Sequence, residues 1–234
     1  MKQSQDHSPV PQKWIKIFLG INLFVLCSFL IWELGGPALK SDKEMNITRE
    51  QDDAIVKKFL DKNPEPKDLT GTLGPELQYT INATIQDKWA HFSFSKGTVF
   101  YKEKIDKDSL DWDIAFRRAK IVTNGGATNP KGKAEVGSIK TGGLLSVKSA
   151  SNIKFQPDFT TQNIVESKNP VLDKWYKYDF WTHRLTPKNE VYVARTAKGN
   201  YVKFQIVDYY CRHVAGCFTL KYVYQGTGSD SFSG

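Results

Sequence analysis

The sequence predicts an all-β, antiparallel domain preceded by one transmembrane helix and a short amphipathic helix. Three observations lead there. Residues 14–32 form a nearly uninterrupted apolar run. Ile55, Val56, Phe59 and Leu60 recur at helical spacing. From Leu77 onward the apolar residues fall at every second position. With 234 residues the chain has room for one ordinary domain and its appendages.

The apolar run reads WIKIFLGINLFVLCSFLIW. A helix of that length spans about 28 Å, close to the hydrocarbon thickness of a bilayer. Trp14 and Trp32 bracket it as interfacial aromatics do, and Lys16 sits near enough to one end to reach the headgroups. The residues that follow, Glu33-Leu34-Gly35-Gly36-Pro37, offer no small-x-small cleavage site. Leu26 stands before Cys27, where lipoprotein processing wants a small residue. These features predict an uncleaved anchor. Lys2, Lys13 and Lys16 outweigh Asp6 before or within the run, whereas the flank after it mixes both signs. The positive-inside rule then leaves residues 1–13 in the cytoplasm and puts the C-terminal domain on the periplasmic side of the inner membrane.

Within residues 33–75, the segment 48–62 predicts the amphipathic helix, with Thr48 and Gln51 in a capping-box pattern. Residues 63–75 carry three prolines and two glycines and predict a linker. The β domain is expected over residues 76–225. Its strands are read at 77–85, 89–94, 98–101, 112–117, 191–194, 201–207 and 218–224, with a hairpin turn at Lys198-Gly199-Asn200. Residues 124–143, rich in Gly, Thr and Lys, read as a long loop, and 226–234 as a flexible tail. Asp113 and Arg117 share a strand face and suggest a structural ion pair. Cys211 and Cys217, six apart, suit a disulfide across a hairpin in an oxidising compartment.

The formal net charge is +8, but the lysines are scattered and form no block, so nucleic acid is not an expected partner. No HExxH, GxSxG, CxxC or phosphate-binding glycine loop is present, and no enzyme activity is expected. His91 reads as a strand histidine and His213 as an exposed one at a hairpin tip. No metal site is expected.

Four segments in order carry a family likeness: Lys88-Trp89-Ala90-His91-Phe92-Ser93-Phe94; Trp112-Asp113-Ile114-Ala115-Phe116-Arg117-Arg118; Val191-Tyr192-Val193-Ala194-Arg195-Thr196 with the strand from Tyr201 to Tyr210; and Phe218-Thr219-Leu220-Lys221-Tyr222. Over residues 76–225 the chain resembles the HmuY family of secreted haem-binding proteins. The resemblance implies an all-β fold and a porphyrin held between loops by two axial side chains, often histidines, drawn from the stretch between the second and third segments. Here that stretch holds one histidine, His183, and no methionine. The sequence thus leads to the expectation of an accessory, structural subunit in a membrane protein complex, such as one of electron transfer or photosynthesis, without a bis-histidine haem. The alternative implied by the resemblance is a tethered binder of haem or another tetrapyrrole with His183 as a ligand.

The topology has a direct test. A membrane-impermeant protease added to intact spheroplasts should remove the β domain. Cleavage only after lysis would mean that the domain faces the cytoplasm.

Overall fold

The computed structural model describes residues 42–140, 142–160 and 166–233. The expected anchor, with Trp14, Lys16 and Trp32, lies outside them. Among the described residues no helix is long and apolar enough to cross a membrane. The chain divides into two units, residues 1–50 and 51–234.

An α-helix, α1, runs Asp42–Leu60, and two single 3-10 turns lie at Leu144–Ser146 and Leu172–Lys174. Helix α1 starts ahead of Thr48, so the Thr48/Gln51 pattern lies inside the helix and does not cap it. The strands are β1 (Leu77–Asn82), β2 (Trp89–Ser93), β3 (Thr98–Lys102), β4 (Ile114–Arg117), β5 (Lys120–Thr123), β6 (Glu135–Ile139), β7 (Gln156–Pro157), β8 (Tyr176–Tyr178), β9 (Leu185–Pro187), β10 (Val191–Arg195), β11 (Tyr201–Cys211) and β12 (Val214–Gln225). They pair antiparallel into a six-stranded sheet, β1-β12-β11-β10-β6-β7, a four-stranded sheet, β3-β2-β4-β5, and a two-stranded arm, β8-β9.

The two larger sheets meet through aromatic side chains. Phe94, in the turn after β2, and Phe116 of β4 face Phe204, Phe218 and Tyr222 from the larger sheet, with ring centroids 4.8 Å apart for Phe116 and Phe218 and 5.4 Å for Phe94 and Phe204. These tilted and edge-on contacts add to the area term that drives burial. Alternation along β11 explains the rest: Val202, Phe204 and Ile206 enter this core, while Lys203 falls on the opposite face.

That opposite face is covered too. Leu144, Val147, Ala150 and Phe232 pack on Val191, Val193 and Val223. Lys203 is buried there, its Nζ donating to the Val147 carbonyl at 2.8 Å and lying 5.0 Å from the Phe232 ring centre. Residues 226–233 are therefore not the flexible tail their Gly/Ser composition suggests. Phe232 is buried, its N–H bonds to the Lys148 carbonyl, and the Ala150 N–H bonds to the Asp230 carbonyl, each at 2.8 Å. One aromatic residue with a slot to fill overrides the composition.

Residues 63–75 form no helix, as expected, but they are tied to the domain. Leu69 is buried, and the Gly74 and Gly226 N–H groups bond to the Tyr224 and Thr72 carbonyls. The segment 124–143 contains β6, which reads as loop because Gly137 interrupts its alternation. A Cβ on Gly137 would lie 2.4 Å from Ile153 Cγ2 and 2.8 Å from the Lys154 carbonyl oxygen, so this strand needs glycine for a close backbone approach.

The tail provides the test of this packing. Phe232→Ala should lower the stability of the chain by about 2 kcal/mol, measured as a shift of the denaturant midpoint. An unchanged midpoint would restore the picture of a loose tail.

Candidate functional site

A β-bulge at Asp208 turns the end of β11 toward the exposed β8–β9 arm. The β11–β12 register shifts on both sides of Asp208, and Asp208 Oδ1 accepts the N–H groups of Tyr209 and Tyr210 at 2.7 and 3.0 Å. Beyond the bulge both tyrosines are buried. Tyr209 packs against Trp175, which precedes β8, at 5.2 Å between ring centres. Tyr210 Oη accepts the N–H of Leu185, the first residue of β9, at 2.9 Å. Trp175 Nε1 donates to the Ala119 carbonyl, and the Arg184 guanidinium stacks on Tyr210 at 4.0 Å. The root of the β8–β9 arm is thus clamped on two sides.

Its tip stands in solvent. Tyr178, Phe180 and Trp181 are 53%, 70% and 89% exposed. The turn is ordered by Asp179, whose Oδ1 accepts the N–H groups of Trp181 and Thr182. The Thr182 and Trp181 hydrogen bonds hold this carboxyl below the usual carboxylate range.

His183 lies in this tip at φ 53°, a left-handed conformation. Its Nδ1 is 2.5 Å from Tyr178 Oη, and its ring centre lies 6.0 Å from that of Tyr178 and 6.2 Å from that of Phe180. In the tautomer in which Nδ1–H donates to Tyr178, Nε2 keeps a lone pair. A neutral imidazole steadied through one nitrogen, with the other available, is the arrangement that orients a metal-binding histidine. Sequence reasoning singled out His183 but missed Tyr178 as its partner. The available signal was Tyr176-Lys177-Tyr178 ahead of the turn residue Asp179.

Apart from the arm, a concavity of about 720 Å³ opens over the outer face of the smaller sheet. Arg117 stacks on Trp89 at 4.5 Å there and pairs with Glu166, which also receives Lys120 Nζ at 2.6 Å. Burial alone would raise the Glu166 carboxyl, but Lys120 and Arg117 outweigh it and hold the group low. The lining contains Lys102, Lys104, Lys107 and Arg117 against Glu103, Asp106, Asp108 and Glu166, and no imidazole or thiol. Among the described lining residues, the balanced charge and the lack of an imidazole, thiolate, thioether or phenol make this cleft a poor haem site.

The remaining sequence candidates have structural partners. The expected Asp113–Arg117 ion pair does not form. Asp113 precedes β4 and accepts the N–H groups of Phe94 and Ala197 at 2.9 and 3.1 Å, while Arg117 turns to Glu166. Cys211 and Cys217 form the expected disulfide, with Cα atoms 5.5 Å apart, and pack with Val56 of α1. His213 is exposed and lies 3.0 Å from Asp52 of the same helix. His91 is fully buried. Its Nδ1 is 3.1 Å from the Trp89 carbonyl, and its Nε2 accepts the Asp106 N–H at 3.2 Å, so both ring nitrogens are engaged.

Comparison with known proteins gives a consistent picture. The family model described as HmuY protein matches residues 85–222. No curated protein matches. Among solved structures, an apo HmuY analog from Tannerella forsythia is 17% identical, with a TM-score of 0.53, covering 65% of this chain and 96% of its own. A candidate HmuY-like heme-binding protein from Bacteroides vulgatus is 23% identical, with a TM-score of 0.51 and coverages of 64% and 92%. A candidate lipoprotein from Bacteroides fragilis is 22% identical, with a TM-score of 0.53 and coverages of 64% and 89%. At these identities the likeness to the solved structures is one of fold.

His91 and Asp113 make opposite demands on pH. Desolvation pushes His91 down to about 4, so its neutral form stabilises the fold above the ordinary histidine range, and that stability is lost as pH falls from about 6.5 to 4. Desolvation pushes Asp113 up to about 6, so its contribution is fully present at low pH and is lost as pH rises from about 4 to 6. Each amounts to about 3 kcal/mol, and the two slopes oppose one another between pH 4 and 6. The stability of Asp113→Asn relative to the native chain should therefore improve as pH rises through this window, as read from denaturant midpoints. A difference independent of pH would show that Asp113 is ionised normally.

Proposed function

This chain belongs to the HmuY family, and from that premise we propose that it binds haem or a related tetrapyrrole outside the cytoplasm, through His183, while tethered to a membrane by residues 14–32. Family membership favours this binder over the accessory subunit expected from the sequence. The observation that carries the proposal is the exposed His183 imidazole, steadied by Tyr178 on an arm whose aromatic side chains are otherwise left in water.

The residues present would offer such a group one imidazole nitrogen. Nε2 of His183 is the donor atom, Tyr178 holds the ring through Nδ1, and the Tyr178 and Phe180 rings offer apolar faces beside it. Covering such side chains with a planar apolar partner is favourable by about 25 cal/mol per Å². Lys177, exposed on β8, supplies positive charge for the carboxylates of the ring system. A bound haem would supply an iron able to take an imidazole nitrogen. Burial and internal hydrogen bonding withhold His91 from the iron, and His213 sits beside Asp52 on α1.

A haemin titration of the purified chain tests the reading. The Soret band should shift on binding, and His183→Ala should weaken binding by roughly tenfold or more, the loss of at least about 1.4 kcal/mol. Tyr178→Phe should have a smaller effect, because it frees the ring without removing the donor. Identical titrations for the native chain and His183→Ala would sink the assignment. So would a low-spin spectrum of two protein imidazoles.

A further inference from the structure

We propose that the tip of the β8–β9 arm is a membrane contact, with Trp181 and Phe180 seated at the headgroup level of an anionic phospholipid surface. Trp181 is 89% exposed and Phe180 70%, and the two rings pack edge to face at 5.9 Å. Leaving this much aromatic surface in water is unfavourable, and the turn that presents it is fixed by Asp179. Tryptophan at such a position suits the boundary between water and lipid, where an apolar ring and a polar N–H are both accommodated.

Charge points the same way. From Leu172 to Lys188 the arm and its root carry Lys174, Lys177, Arg184 and Lys188 against Asp173 and Asp179, four cations to two carboxylates and hence a net +2. Asp173 is itself 3.7 Å from Lys168 outside the arm. Basic residues close to an anionic leaflet contribute about 1 kcal/mol each.

The position of the tether supplies the third argument. Tyr210, which holds Leu185 at the arm root, is followed directly by Cys211, which packs on Val56 of α1. His213 of the same hairpin tip lies beside Asp52. The chain thus joins the domain at the end that bears the arm. Only residues 33–51 separate that junction from the apolar run, a reach of about 65 Å even at full extension. The tether proposed above would hold the arm within that reach of the bilayer and raise the effective lipid concentration there, so that a weak insertion suffices. The inference rests on the membrane tether proposed above and shares Phe180 with the tetrapyrrole reading, but its anchoring side chain, Trp181, takes no part in that reading.

The test uses the full chain reconstituted into vesicles of anionic phospholipid with acyl chains brominated near the headgroup, without any tetrapyrrole. The difference in fluorescence between the native chain and Trp181→Ser isolates Trp181 from the other tryptophans. The expected result is a Trp181 component quenched by the brominated lipid and shielded from iodide present on both sides of the bilayer. A component open to iodide and untouched by bromine would overturn the proposal. Shielding from both quenchers would also overturn it, in favour of a protein surface covering the arm. Because Trp181 is exposed and makes no core contact, its replacement leaves the fold intact. Because no haem is present, the outcome is independent of the function of His183.

Discussion

The β11–β12 hairpin is the constraint on which the other features depend. Its inward side chains, Phe204, Phe218 and Tyr222, close the aromatic core against Phe94 and Phe116. Its outward Lys203 and Val223 require the cover supplied by Val147 and Phe232. Where the ladder slips at Asp208, the hairpin turns Tyr209 and Tyr210 toward the arm, and one residue later the disulfide locks the tip against α1. Removing the bulge would restore strict alternation and send one of the two tyrosines to the other face. The arm would then lose one of its two clamps. The same two strands therefore connect the core, the candidate ligand site and the segment leading to the apolar run.

How much of this was legible in the sequence depended on which force dominates locally. Runs of β-branched and aromatic residues bounded by turn signals mark strands, and β1, β2, β3, β4, β10, β11 and β12 were readable for that reason, although β2 and β10 are buried on both faces. The β6 strand was hidden by Gly137, placed there for a backbone approach that no pattern of hydrophobicity reports. The β8–β9 arm was hidden because it is short and exposed, and it pairs only with itself. The fate of residues 226–233 rested on one aromatic side chain whose slot is formed by distant segments. The Asp113–Arg117 pair failed because periodicity places side chains on a face but does not say which loop amides or carboxylates reach them first.

The same distinction applies to the site. His183 could be picked from the sequence as the one imidazole in the stretch where the resemblance calls for ligands. Its exposure, its left-handed backbone and its bond to Tyr178 belong to the turn made by Asp179 and could not be read from spacing. Conversely, His91 stands in one of the segments that carry the family likeness, yet its hydrogen bonds to Trp89 and Asp106 and its complete burial make it part of the scaffold. An imidazole in water and an imidazole in the core differ in what a ligand must displace. The first offers its nitrogen at the cost of losing hydration, and the second only by breaking two internal hydrogen bonds.

The central claim is that one histidine, His183, supplies the nitrogen that holds a tetrapyrrole iron on this arm. Pulsed electron paramagnetic resonance on the ferric haemin complex of the full chain, with the histidine ring nitrogens isotopically labelled, counts such bonds directly. The account predicts coupling to one histidine nitrogen at the iron, absent from the His183→Ala complex. Coupling to two histidines, or coupling that survives in His183→Ala, would contradict it.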